Sequence, residues 1–137
     1  MSRILGVDYG SKKTGLAVTD PLQIIVTPLK TIATVDLLTF IEGYLREEDV
    51  EKIVLGEPFM ADGVTPAQHH SKVLDFKRVL EKSFSNIPVV LHDETFSSRR
   101  AREIVIKSVA SRKRRRDKTL VDKIAATLIL QEYLKHI

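Results

Sequence analysis

Residues 4–18 read Ile4-Leu5-Gly6-Val7-Asp8-Tyr9-Gly10-Ser11-Lys12-Lys13-Thr14-Gly15-Leu16-Ala17-Val18, two apolar runs joined by a basic loop bounded by glycines. An apolar run broken by an acid and then a glycine predicts a buried strand ending in a turn, with the acid at the edge of the sheet rather than in its core. The second run predicts a partner strand, so the unit is a hairpin with Lys12 and Lys13 at its tip. The loop is not a P-loop. That motif needs Lys and then Ser or Thr after its second glycine, to reach phosphate and Mg²⁺, whereas Gly15 is followed by Leu16 and Ala17. From this stretch alone Asp8 has two readings: a metal-binding carboxylate at a strand end, or an acid hydrogen-bonded within an ordinary Asp/Gly turn.

Working outward, a third strand is expected over 24–32, with Pro28 removing a ladder donor and so marking an edge. Leu37, Leu38, Ile41, Tyr44 and Leu45 recur at helical spacing and predict a helix over 35–47. A short buried strand follows over 52–56, then a loop carrying the Asp62-Gly63 turn signal. Thr65-Pro66-Ala67-Gln68 predicts the start of a helix running to about residue 84, with Thr65 as N-cap and Gln68 completing a capping box. His69 and His70 then fall on its surface. A strand over 88–92 ends at Asp93-Glu94, Ser97 or Ser98 caps a helix to about 109, and a last helix spans 120–134. The order βββαβαβαα implies one α/β domain over 1–137, a mixed five-stranded sheet of order 3-2-1-4-5 with helices on both faces.

In that topology Asp8, Glu57 and Glu94 stand at the carboxyl ends of strands one, four and five, where open α/β sheets bind ligands. Neighbouring strands lie about 4.8 Å apart, so acids at adjacent ends can share a cation. Asp122 lies in the first turn of the last helix. Its spacing from Thr119 also suits a plain N-cap and N3 pair that stabilises the helix start.

The 137 residues are 43% hydrophobic and 29% charged, the composition of an ordinary globular domain. There is no cysteine, which excludes disulfides, thiolate zinc sites and cysteine nucleophiles. No apolar run has the length a bilayer needs, and the N-terminus enters the first strand without a signal-peptide stretch, so a cytoplasmic protein with no membrane partner is expected. The net charge of +4 hides an asymmetry: residues 99–118 carry +8 and the rest of the chain −4. Arg99, Arg100, Arg112, Lys113, Arg114, Arg115, Arg116 and Lys118 supply most of that positive charge, and with Lys12 and Lys13 they point to a nucleic-acid partner held through its phosphates.

Val7-Asp8-Tyr9-Gly10 with Gly15-Leu16-Ala17, Leu55-Gly56-Glu57-Pro58 with Asp62-Gly63, His92-Asp93-Glu94, and Val121-Asp122 with Ala125-Ala126 together resemble the YqgF family, also called RuvX. The resemblance spans essentially the whole chain. It implies an RNase H-like fold and a nuclease using Mg²⁺ or Mn²⁺, two ions at the site, that processes the 5′ end of the pre-16S ribosomal RNA. Resolution of Holliday junctions and non-catalytic RNA binding are the alternatives. By position Asp8, Glu94 and Asp122 match the family's acidic triad. Two departures stand out: Thr95 replaces the usual arginine, for which Arg99 or Arg100 one turn on can substitute, and Glu57 occupies a usually apolar position. Glu57 and Glu94 thus compete as second metal-binding acid, with the motif favouring Glu94. Structured RNA is expected ahead of branched DNA, and monomer and homodimer both remain open.

Replacing Arg114, Arg115 and Arg116 with Gln should weaken nucleic-acid binding and reduce the slope of log K against log salt by about 2 to 3. An unchanged slope in a salt titration would show that the run is solvated surface.

Overall fold

The computed structural model describes residues 2–60, 62, 64–108 and 118–136. Its elements are β1 (Arg3–Asp8), β2 (Lys13–Thr19), β3 (Val26–Ala33), a 3-10 turn (Thr34–Asp36), α1 (Leu37–Glu47), β4 (Val50–Glu57), α2 (His70–Ser83), β5 (Val89–Asp93), α3 (Thr95–Ser108) and α4 (Lys118–Tyr133). The five strands form one sheet of order β3-β2-β1-β4-β5. β1 to β3 run as an antiparallel meander, and β4 and β5 join β1 in parallel through helical crossovers. Pro28 sits on the outermost strand opposite Ala17, next to a register shift, where a missing donor is tolerated.

Side chains alternate across the sheet, and each face has its own cover. Leu5, Val7, Leu16, Ile53, Leu55 and Val89 pack with Leu37 and Ile41 of α1 and Val73 and Leu80 of α2. On the other face Ile4, Ala17 and Val54 pack with Ala126, Ile129 and Leu130 of α4. The remaining apolar side of α4, Ala125 and Leu128, receives Ala101 of α3. α4 is therefore apolar on two sides, lying between the sheet and α3.

Three glycines let α4 approach the strands closely. A Cβ on Gly6 would lie 2.5 Å from Leu130 Cγ, one on Gly15 would lie 2.1 Å from the carbonyl oxygen of Asp122, and one on Gly56 would lie 2.8 Å from Ile129 Cδ1. The far end of the helix is tied down by polar groups. Lys52 Nζ donates to the Tyr133 hydroxyl at 2.7 Å, and His92 Nε2 lies 2.7 Å from Glu132 Oε1.

All four helix starts differ from the sequence expectation, α1 by two residues because Thr34–Asp36 form a 3-10 turn ahead of it. α2 begins at His70 rather than Thr65, because Thr65 is used elsewhere: its hydroxyl and N–H both donate to Asp62, at 2.6 and 2.8 Å, and Pro66 bridges to Phe59. α3 begins at Thr95 rather than after Ser97 or Ser98, with Asp93 Oδ1 accepting the Thr95 N–H at 2.9 Å. α4 starts at Lys118, so Thr119 lies within the helix rather than capping it.

Gly15→Ala and Gly6→Ala should each destabilise the fold by about 1–3 kcal/mol in urea unfolding, as overpacking does. Gly15 should suffer more, because its obstacle is backbone rather than a side chain. Gly43→Ala in α1, where an added Cβ meets nothing within 4 Å, should gain about 0.5–1 kcal/mol from helix propensity. A Gly15→Ala protein as stable as wild type would contradict the close docking of α4.

Candidate functional site

The parallel strands β1, β4 and β5 bring their carboxyl ends to one edge of the sheet, and two acids meet there on the α4 side. Asp8 is the last residue of β1, in step with Ile4 and Gly6 on that face. Glu94 directly follows β5 and is fixed by its N–H, which donates to the Glu57 carbonyl at 3.1 Å. Its side chain turns under the sheet edge, where Oε2 lies 2.7 Å from the position a Cβ on Gly56 would take. Glu94 is 5% exposed and hydrogen-bonds with the Asp8 side chain. Asp122 arrives from the first turns of α4, buried, its backbone resting on Gly15.

The electrostatics follow from this crowding. Burial pushes the Glu94 carboxyl above the usual carboxylate range; the hydrogen bond with Asp8 works the other way, and the negative charges of Asp93 and Asp122 add to the rise. Two carboxyls that hydrogen-bond to each other need one proton between them. Glu94 Oε2 makes no hydrogen bond among the described residues, an uncommon state for a buried polar atom. The cluster is thus short of positive charge. Among the described residues no three His, Cys, Asp or Glu side chains are gathered as a ready-made metal site. Two carboxylates with water are nonetheless the donor set Mg²⁺ commonly takes.

Glu57 is placed differently from the sequence expectation. Along β4, Ile53 and Leu55 face α1 and α2, and Glu57 shares their parity, so it points away from Asp8. Its Oε2 lies 3.0 Å from His70 Nε2, and the His70 ring also packs at 5.4 Å against Phe59. His70 is consequently a half-buried partner of Glu57, not a residue on the helix surface as the sequence reading expects.

Lys12 and Lys13 are exposed at the β1–β2 tip, on the same edge as Asp8. Sequence reasoning missed what steadies that tip. The Thr34 hydroxyl donates to the Gly10 carbonyl at 2.6 Å, the Thr14 and Thr34 hydroxyls are 2.9 Å apart, and the Thr34 N–H donates to the Lys12 carbonyl at 2.8 Å. Thr14 is buried on a strand whose other interior residues are apolar or glycine up to Thr19, and a buried hydroxyl there signals a partner. Thr95, at the position where an arginine was expected, has a buried hydroxyl with no hydrogen bond among the described residues. Arg99 and Arg100 are exposed on α3, with Arg100 Nη1 3.6 Å from Glu103 Oε2. Arg112, Lys113, Arg114, Arg115 and Arg116 lie outside the described residues, and Lys118 is placed as the first residue of α4.

The family profile described as "RuvX: Holliday junction resolvase" matches residues 2–136. A Christiangramia forsetii protein named "putative pre-16S rRNA nuclease" is 43% identical over 134 residues, covering 98% of both chains. A Bacteroides thetaiotaomicron protein of the same name is 42% identical over 135 residues, covering 98% of this chain and 97% of its own. Among solved structures, the Fowlpox virus resolvase with Holliday junction DNA superposes with a TM-score of 0.59 at 14% identity, covering 98% of this chain and 97% of its own. RuvC of T. thermophilus with a Holliday junction substrate gives 0.57 at 16% identity, covering 98% and 96%. At such identities the two structures establish the fold, that of the RNase H-like resolvases.

A group whose folded pKa is raised contributes stability that is present at low pH and lost as pH rises through the folded value. Ionised Glu94 therefore costs the metal-free fold stability near neutral pH. In chelator, Glu94→Gln should melt at a higher temperature than wild type at pH 8, and the gap should close as the pH is lowered toward 4. A variant that melts lower than wild type at pH 8 would contradict the raised pKa.

Proposed function

The chain belongs to the RuvX family, and we propose that it is a divalent-cation-dependent nuclease that hydrolyses phosphodiester bonds in a precursor of 16S ribosomal RNA, with Asp8, Glu94 and Asp122 as its acidic centre. The observation that carries this reading is the buried Glu94 carboxyl, raised in pKa and hydrogen-bonded to Asp8 at the ends of parallel strands, with the Asp122 charge beside it. A fold keeps such a costly arrangement when a cation completes it.

The donor chemistry suits Mg²⁺ or Mn²⁺, since hard cations prefer carboxylate oxygens and no histidine or thiol is at hand. One or two such ions supply, when bound, a Lewis acid that activates water and offsets charge on the phosphate. Asp8 and Glu94 would offer oxygens from the sheet edge, and a carboxyl must be deprotonated to hold a cation. Asp122 adds a third carboxylate from α4. Lys12 and Lys13 hold phosphate oxygens from the β1–β2 tip, and Arg99, Arg100 and the run from Arg112 to Lys118 extend that grip along the strand, contacts that give affinity more than sequence choice. Glu57 is left out of the ligand set, a choice supported by its position on the opposite face of β4 and its bond with His70.

Precursor ribosomal RNA is preferred over branched DNA because relatives named for that RNA are 42–43% identical along the chain, whereas the junction resolvases are similar in fold at 14–16% identity. A four-way junction is the second reading, favoured by the family's own description. Among the described residues no helix is long and apolar enough to cross a membrane, and the cytoplasm, where ribosomal RNA matures, is the proposed place of action.

Labelled RNA precursor and a synthetic four-way junction, each with Mg²⁺, Mn²⁺ or chelator, test both readings. RNA cleavage should require the metal. Asp8→Asn, Glu94→Gln and Asp122→Asn should each lose more than the roughly 10–100-fold typical of outer-shell changes, while Glu57→Gln should cleave at close to the wild-type rate. Undiminished cleavage by Asp8→Asn would sink the nuclease centre, and cleavage of the junction alone would overturn the RNA assignment.

A further inference from the structure

The chain is poor in aromatics, with five Phe, three Tyr and no Trp, and all but one of the eight are packed. Tyr9, Phe40, Tyr44, Phe76 and Phe84 join the α1/α2 core, Tyr133 joins the α4 core, and Phe59 lies against His70. Phe96 is the exception, 53% exposed. It stands in the first turn of α3, two residues beyond Glu94. Of the other exposed apolar side chains, Leu22, Ile24 and Ile25 lie on the β2–β3 turn, at the opposite edge of the sheet from the acids, while the aliphatic Met60 and Val64 lie in the loop after β4 and offer no ring to stack on.

The helix determines what accompanies this ring. Residues three and four apart share a helical face, so Phe96 is neighboured along α3 by Arg99 and Arg100, both exposed. Ala101, roughly 140° round the helix from Phe96, is buried against α4, which turns the Phe96 side outward. The Arg100–Glu103 pair at 3.6 Å is on the surface, where such a pair is weak and leaves the guanidinium available. One stripe therefore combines an aromatic face with two cations, beginning two residues from the acidic centre.

Resting on the nuclease reading above, we propose that Phe96, Arg99 and Arg100 form a stacking platform for unpaired nucleotides beside the scissile phosphate. Every base has a π-face to stack on an aromatic ring, whatever the sequence. In a duplex those faces are already stacked inside the helix, leaving phosphates, 2′-hydroxyls and groove edges on offer. The ring thus rewards single strands, while the arginines attract any polyanion. The platform confines cleavage to single-stranded stretches and loops, and it places a guanidinium one turn beyond Thr95, the position where the family usually has its arginine.

The test measures binding without cleavage. The protein in chelator is titrated with a short single-stranded RNA carrying one fluorescent base analogue, and with a blunt-ended, loop-free duplex of equal phosphate count. Phe96→Ala and Phe96→Leu should weaken single-strand binding about tenfold and abolish quenching of the analogue, with duplex affinity and the salt slope unchanged. Phe96→Tyr should restore both. Arg99→Gln with Arg100→Gln should weaken binding to both probes and lower the single-strand salt slope by about 1.4. Single-strand affinity unchanged in Phe96→Ala, or equal losses on both probes, would overturn the platform. Because the readout needs no chemistry, a protein that binds in this Phe96-dependent way yet cleaves nothing with Mn²⁺ would refute the nuclease reading while supporting the platform.

Discussion

The close docking of α4 onto glycines is the constraint on which the rest of the molecule depends. Gly6, Gly15 and Gly56 leave no side chain between the strands and the helix, so Leu130, Ile129 and the backbone of Asp122 come down onto the sheet itself. Protein interiors are packed like crystals and do not stretch to absorb an extra methyl group. The same contact that closes the core on this face therefore sets the depth at which Asp122 stands beside Asp8 and Glu94. The polar ties at Tyr133 and Glu132 fix the helix at its other end, leaving little freedom to slide.

Much of this was legible in the sequence. The strand order, the parallel crossovers and the edge position of Pro28 follow from hydrophobic runs and chain connectivity, because those signals are local and strong. The ranking of the acids was harder. Listing strand ends puts Asp8, Glu57 and Glu94 in a row, but the pleat sends alternate residues to opposite faces. Counting parity from Ile53 and Leu55 to Glu57 was the signal that separates Glu57 from the pair. The start of α2 eluded the sequence for another reason. Thr65 and Pro66 form a good helix opening in isolation, yet Asp62, three residues upstream, takes both donors of Thr65. Two local motifs competed for the same groups, and the tighter turn won. His70 could not be placed without knowing that outcome, since its partner Glu57 lies across the loop.

The acidic centre also illustrates a division of labour. Its residues are costly to bury together, and the surrounding structure carries that cost through apolar packing on either side: the α1/α2 core beneath the sheet, α4 above it. The threonine pair at the β1–β2 tip performs a similar service for the basic side, holding Lys12 and Lys13 in a fixed relation to Asp8 through backbone carbonyls rather than through their own side chains.

The position of α3 has a consequence for how such proteins diversify. It packs on α4 through small and aliphatic side chains, and its outer face is not needed to close any core. Substitutions there leave the sheet, the glycine contacts and the acids untouched. A lineage can accordingly vary the charge and aromatic character of one solvent-facing stripe by drift while inheriting the sheet edge and its acids intact, so that close sequence kinship and different outer surfaces are physically compatible in the same fold.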